Sequence, residues 1–142
     1  MGNMSDIQDY EYFDHDADVG IVGRGSSLES AFESAAKAMF AVMLDVEAVK
    51  PEREVVFEFE EEDPELALFT WLNKLLVLAR EHDLALGKFR LVRQGNKWIG
   101  KAWGQPWSTD LERGTEVKGA TFTMLSVEQE NGVWQARCVV DV

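Results

Sequence analysis

An amphipathic helix is encoded by residues 63–79, which read DPELALFTWLNKLLVLA. Asp63 is a good N-cap, Pro64 suits the first helical position, and Glu65 places a carboxylate in the first turn. Apolar side chains then recur at the spacing of one helical face: Leu68, Leu72, Leu75, Leu76 and Ala79. The sequence therefore predicts a helix that starts at Asp63-Pro64 and packs along this face.

The segment before this helix predicts a first helix and two strand-like runs. Ser26 and Glu29 have the spacing of a capping box. The apolar positions of one face follow them: Leu28, Ala31, Phe32, Ala35, Met39, Val42 and Met43. We therefore expect a helix from about residue 28 to 44. Strands are expected at Tyr10–Phe13 and, between the helices, where Val55, Phe57 and Phe59 alternate with glutamates.

The second half of the chain predicts hairpins. Turn signals stand at Gln94-Gly95-Asn96 and at Asn131-Gly132. The strands expected around them are Phe89–Arg93 with Trp98–Trp103, and Val117–Val127 with Val133–Val140. The order of strand, helix, strand, helix and hairpins predicts an α+β domain with two helices packed on a mainly antiparallel sheet, the second helix repeating the strand-helix-strand-strand theme of the first.

Length and charge limit the classes of function. The 142 residues, 46% of them hydrophobic, fit one domain over residues 1–142, with a loose segment at 1–9. A formal net charge of −12 argues against strong direct binding of nucleic acid and favours a cation or a basic partner. We expect no membrane span or signal peptide, which makes the cytoplasm the default location. Cys138, the single cysteine, is expected in the core.

A cluster of polar residues, Asp14-His15-Asp16-Ala17-Asp18, directly precedes an apolar run. Its carboxylate oxygens suit a hard divalent cation. The apolar pattern before Asp141-Val142 predicts a docked last strand, which would add a side-chain and a terminal carboxylate. The two ends could thus build one site. The alternative is a solvated cluster in which Asp14 and Asp18 cap turns, and composition leaves both interpretations open.

Several enzyme classes find little support. His82 is the only histidine besides His15, which is too few for a multi-histidine metal enzyme. A serine triad lacks its GxSxG elbow. The glycines at 20–25 lack both the dinucleotide-binding spacing and the lysine of a phosphate loop. Trp98, Trp103 and Trp107 are interpreted as core or partner-facing aromatics rather than as a base-stacking platform.

Several blocks together resemble the archease family. Tyr10-Glu11-Tyr12 followed by Asp14–Gly20 is similar to the family's opening, which reads Tyr-Glu and then His-Thr-Ala-Asp-Ile-Gly. The resemblance continues, in family order, through Ser27–Phe32, Trp71–Leu76, Glu116–Phe122 and Val140–Val142. The blocks span nearly the whole chain, so their joint occurrence is far more specific than any single one.

The resemblance implies a fold, a function and a ligand set. The fold is a duplicated β-α-β-β module. The function is that of a small cytosolic protein cofactor, not itself an enzyme, which promotes guanylylation and multiple turnover of the RtcB-type RNA ligase in tRNA splicing. The implied metal ligands are Asp18, Asp141 and Val142, and the implied cofactor is a divalent cation: Ca²⁺ first, with Mg²⁺ or Mn²⁺ as alternatives.

Other residues are candidates for a supporting role or for contact with the partner: Asp14, His15, Asp16 and Lys118. Asp16 stands where the family usually has Thr, and Phe122-Thr123 replaces a more usual Tyr-His, so no role of that histidine carries over. Lys118 matches the family's Val-Lys, although a salt-bridged strand lysine explains it equally well.

Two alternative functions remain open at this stage. One is a free-standing metal-dependent hydrolase that uses Asp14, His15, Asp16 and Asp18, although the sequence offers few candidates for its general base. The other is an adaptor without a metal.

Overall fold

The computed structural model describes residues 9–15 and 17–142, and within them the chain forms eight strands and two helices. In chain order these are β1 (Tyr10–His15), β2 (Asp18–Gly25), α1 (Leu28–Met43), β3 (Arg53–Glu60), α2 (Pro64–Glu81), β4 (Leu84–Gln94), β5 (Lys97–Pro106), β6 (Gly119–Ala120), β7 (Ser126–Glu130) and β8 (Val133–Asp141).

The strands form two antiparallel sheets. In the first, called the β8 sheet, the order is β1-β2-β8, and β6 and β7 pair with the other edge of β8. In the second, called the β5 sheet, the order is β3-β5-β4. The expected α+β class, with two helices on antiparallel sheet, is confirmed. The strands are divided between two sheets rather than joined in one.

The two sheets show the duplication. In the β5 sheet, a strand (β3), a helix (α2) and a hairpin (β4-β5) follow one another, and β3 pairs with the second strand of the hairpin. In the β8 sheet, β2, α1 and the hairpin β7-β8 repeat this arrangement, and β2 pairs with β8. The whole β5-sheet module lies in the chain between α1 and β7. The two modules are therefore nested.

Each helix packs on the sheet of its module, and the helices meet in the core. A Cβ on Gly23 of β2 would collide with the main chain of α1, and one on Gly100 of β5 would meet the Trp71 ring at 2.6 Å. The Trp71 indole N–H donates to the Phe32 carbonyl at 2.9 Å and so joins α2 to α1. Trp98 is fully buried and stacks on Phe32, which confirms it as a core aromatic.

The helix starts differ in how well the sequence predicts them. Asp63 caps α2 as expected, with Pro64 at its first position. In α1 the capping box is one residue later than predicted, because the Ser27 hydroxyl accepts the Ser30 N–H and the Ser30 hydroxyl accepts the Ser27 N–H. The serine at 30 thus takes the place assigned to Glu29.

One expectation about the strands is wrong. The predicted strand 117–127 is interrupted, because only residues 119–120 and 126–127 pair and a turn lies between them, with Met124 at φ 54. Gly87 lies within β4 beside a register shift. Residues 1–8 of the predicted loose segment lie outside the described residues. The carbonyl of Asp9 accepts the Arg24 N–H at 2.7 Å.

Candidate functional site

The start of β2 lies beside the end of β8. Val19 pairs with Val140, and the same register continued by one step sets Asp18 opposite Asp141. The Val142 N–H donates to Oδ1 of Asp18 at 3.4 Å, across 124 positions of sequence. We call Asp18, Asp141 and Val142 the Asp18 site. The structure thus brings together three residues that the sequence analysis had grouped as metal ligands.

The Asp18 site lies on the face of the β8 sheet that points away from α1. Side chains alternate between the two faces of a strand, and Ile21 and Gly23 of β2 face α1. Asp18 therefore lies on the outer face. Residues directly opposite each other in neighbouring strands share a face, so Asp141 and His15, which pairs with Asp18, lie there as well.

The other residues of the acidic cluster are placed differently. Asp14 pairs with Val19, so its side chain belongs to the α1 side of the sheet and not to the face of Asp18. Asp16 lies outside the described residues. His15 is half-buried. The next pair along the outer face is Phe13 with Gly20. A Cβ on Gly20 would collide with the Phe13 ring, so this ring covers the sheet beside Asp18.

The main chain of Asp141 is held from both sides. β2 flanks it on one side, and Gly119 of β6 pairs with it on the other. The Lys118 N–H donates to the Asp141 carbonyl at 2.7 Å. The Lys118 side chain is exposed. What the structure shows for Lys118 is a main-chain bond to the site, and the role of its ammonium group stays a prediction.

Three further side chains near the site were not singled out as functional from the sequence. Asn73 and Arg80 of α2 bond to residues 117–120. A polar residue between apolar positions of a helix is the signal that could have identified Asn73. Arg137 lies on the outer face four residues before Asp141, and its buried Nε has no hydrogen-bond partner among the described residues. Arg137 therefore places a positive charge on the same face as the two carboxylates.

The donor chemistry of the Asp18 site fits a hard divalent cation. Asp18 and Asp141 offer carboxylate oxygens, Val142 offers main-chain oxygen, and Asp141 is exposed to solvent. Within residues 9–15 and 17–142, no three or more His, Cys, Asp or Glu side chains are grouped to hold a metal ion. An ion at this site would thus need main-chain oxygen and water besides the two aspartates. Such a mixed oxygen shell is ordinary for Ca²⁺ and Mg²⁺.

Two concave surfaces among the described residues lie away from the Asp18 site. A cavity of about 280 Å³ lies between the ends of the two helices, with Arg80, Trp107 and Arg113 in its wall. A groove of about 400 Å³ runs along α2 past Phe69, Asn73 and Val77. Neither is lined by Asp14, His15, Asp18 or Asp141. A hydrolase that uses the acidic cluster would therefore lack a substrate pocket among these cavities.

Comparison with known proteins gives the family. The model of the archease protein family matches residues 10–142. The chain belongs to the archease family. The match includes both ends of the Asp18 site.

Relatives and solved structures agree with this assignment. The protein archease of Sulfolobus acidocaldarius is 40% identical over 136 residues, which cover 94% of this chain and 98% of that protein. The protein archease of Pyrococcus furiosus is 34% identical, covering 96% of this chain and all of its own length. The solution structure of a protein from Methanobacterium thermoautotrophicum superposes with a TM-score of 0.81 at 32% identity, covering 96% of this chain and 100% of that one.

A more distant archease structure shows the fold alone. It comes from Thermotoga maritima, is 23% identical, and has a TM-score of 0.64 over 92% of this chain and 94% of its own.

No helix within residues 9–15 and 17–142 combines the length and apolar character needed to span a bilayer.

Proposed function

We propose that this archease-family protein activates an RtcB-type RNA ligase by promoting its guanylylation and its multiple turnover. The observation that supports this most directly is the hydrogen bond from the Val142 N–H to Oδ1 of Asp18, which ties the start of β2 to the residue after Asp141 on the outer face of the β8 sheet. The surface is acidic and open, as contact with a basic, nucleotide-binding active site would require.

The residues of the Asp18 site would act by offering their carboxylate and main-chain oxygens as ligands to a cation. Asp18 is half-buried and held by Val142, so its orientation is fixed before the partner arrives. Asp141 is exposed and can reach outward. A divalent cation, Ca²⁺ first and Mg²⁺ or Mn²⁺ as alternatives, would be held by these oxygens and would supply positive charge and open coordination positions. His15, on the same face, would flank the contact.

The direct test is a time course of guanylylation of a cognate ligase with and without this protein. We expect stimulation by the wild type, and a fall to the unstimulated rate for Asp18→Asn and Asp141→Asn. The matched control is Asp45→Asn, which removes the same charge from an exposed position where Asn still caps the following turn. Stimulation by Asp18→Asn and Asp141→Asn at the wild-type level would contradict the proposal.

Cation binding is tested separately by calorimetry with Ca²⁺, Mg²⁺ and Mn²⁺. Asp18→Asn should weaken Ca²⁺ binding by at least about tenfold, since even outer-shell partners of metal sites contribute that much. If the wild type takes up none of the three ions but still stimulates the ligase, the protein is an adaptor without a metal. A hydrolytic activity of the purified protein alone would instead support the hydrolase alternative.

A further inference from the structure

We propose that Asn73 and Arg80 of α2 are positioning residues for the Asp18 site. They hold residues 117–120, and this segment in turn holds the main chain of Asp141. We call the two side chains the α2 clamp. The inference rests on the function proposed above where ligase stimulation is measured. Its structural test, by amide hydrogen exchange, needs no partner.

Asn73 uses both ends of its amide on one residue of β6. Its Nδ2 donates to the Ala120 carbonyl at 3.2 Å, and its Oδ1 accepts the Ala120 N–H at 3.0 Å. A second Nδ2 bond, of 3.0 Å to the Phe69 carbonyl, ties the amide to its own helix. Since Ala120 pairs with Val140, the amide fixes β6 directly beside the end of β8.

Arg80 holds the residues just before β6. Its Nη2 donates to the carbonyls of Val117 at 2.6 Å and Lys118 at 2.9 Å. Arg80 follows Asn73 by two helical turns, so the two side chains leave α2 on the same side. The Lys118 N–H then donates to the Asp141 carbonyl at 2.7 Å. The guanidinium group is thus connected to Asp141 through one residue.

The segment needs such support because it has little regular pairing of its own. β6 is only two residues long, and residues 107–118 before it form no helix or strand. A short strand of this kind is a weak element by itself. Carboxylates that must meet a partner's reactive groups tolerate displacements of only about half an ångström. Loosening of the segment would therefore affect Asp141 before it affected the buried part of β8.

The test uses Asn73→Leu, which keeps the approximate side-chain volume without hydrogen bonding, and Arg80→Met, which keeps the apolar stem and removes the Nη2 donor of both bonds. Amide hydrogen exchange by NMR reports on the Lys118 N–H, the donor to Asp141. We expect its exchange to rise by about fivefold or more in each variant, the factor that corresponds to one lost hydrogen bond. The concentration needed for half-maximal stimulation of the ligase should rise as well.

The matched controls are Gln105→Met and Arg93→Met. Gln105 accepts the Lys50 N–H, and Arg93 donates to the Gly95 carbonyl, so each control removes a similar bond within the β5-sheet module. The controls should leave Lys118 exchange and half-maximal stimulation unchanged even where they lower the melting temperature. Using two clamp variants keeps the test decisive if one of them folds poorly.

Two results would overturn the inference. One is Lys118 exchange that stays at the wild-type rate in both clamp variants. The other is faster exchange accompanied by stimulation no weaker than in the controls, since Asp141 would then not depend on the clamp. If the wild type itself fails to stimulate the ligase, the proposed function is wrong, and the exchange rates alone still decide whether the clamp holds Asp141.

Discussion

Glu33 on α1 shows how a single carboxylate can link the two modules. Its side chain accepts the Leu91 N–H of β4 at 2.8 Å, so a residue of the β8-sheet module bonds to a strand of the β5 sheet. Burial raises the pKa of this carboxyl above its ordinary value of 4.5, and the Leu91 bond and the charge of Arg90 offset only part of that effect. The ionised form is therefore less favourable in the folded protein than in the unfolded chain.

The consequence for stability has a definite sign. Because the pKa of Glu33 is raised on folding, its contribution to stability is fully present below the ordinary value of 4.5 and is lost as pH rises through the folded pKa. We predict that Glu33→Gln, which can still accept the Leu91 N–H, melts at a higher temperature than the wild type at pH 7. The difference should shrink as pH falls from about 7 towards 4.5, because the folded wild type takes up its proton in this range, and it should not change further below 4.5. Thermal melts across this pH range are the measurement, with exposed Glu54→Gln as the control. A constant difference at every pH would contradict the assignment to Glu33.

At the scale of elements, local chemistry and the two hairpins could be predicted, whereas pairing between strands distant in sequence could not. The Asp63-Pro64 start of α2 and the Asn131-Gly132 turn follow from residues adjacent in sequence, and the structure has both, with the two turn residues at positive φ. Ser26-x-x-Glu29 and Ser27-x-x-Ser30 both have capping spacing, so spacing alone does not select between them. Alternation of side chains also gives no partner strand, so the division into two sheets was not predictable.

The candidate site shows the same limit. Carboxylates near residue 18 were visible as a cluster, but which of them share a face depends on register across three strands. This register separates Asp14 from Asp18 and joins Asp18 to Asp141. The grouping of Asp18 with Asp141 and Val142 came from the family resemblance. Asn73 and Arg80 were missed because their partners lie in the irregular stretch before and within β6, where the sequence predicted an unbroken strand.

At the end of β8, the residues that pack in the core differ from the residues of the Asp18 site, which gives a prediction for this strand. Val140 and Cys138 are fully buried, whereas Asp141 is exposed. Removal of Asp141-Val142 should abolish ligase stimulation. The fold should survive, with a loss of about 1 kcal/mol for each of the few hydrogen bonds removed. Guanylylation assays and chemical denaturation measure the two effects. If the shortened protein stimulates the ligase at the wild-type rate, the Asp18 site is not the contact.

For the whole molecule, the dominant property is a net charge of −12. Charges of one sign on an exposed surface accelerate encounter with a basic partner, and salt screens that attraction. An apolar contribution is also available, since Phe122, in the turn that leads from β6 to β7, is 62% exposed and stacks on Phe69. Charge predicts an affinity that falls as salt rises, whereas apolar contact predicts an affinity that salt does not lower, so the two can be distinguished.

We predict that affinity for the ligase falls between about 50 and 300 mM salt, where the screening length passes through roughly 8–10 Å. The loss should appear mainly in the association rate. Surface-based kinetics at several salt concentrations measure it, with the ligase's unstimulated activity determined at each concentration. An affinity that does not change with salt would assign the encounter to apolar contacts such as Phe122, and the acidic surface would then serve solubility.

The nesting of one module inside the other also dictates an order of folding. The β5 sheet is drawn from the continuous stretch Arg53–Pro106, so its strands meet after short loop closures. The β8 sheet requires β2 to find β8 across nearly the whole chain, a distance of 124 positions at the hydrogen bond between Asp18 and Val142. Closure over such a separation costs more entropy and comes later. An intermediate that contains only the inner module would therefore lack the Asp18 site, because Asp18 lies in β2 and Asp141 in β8.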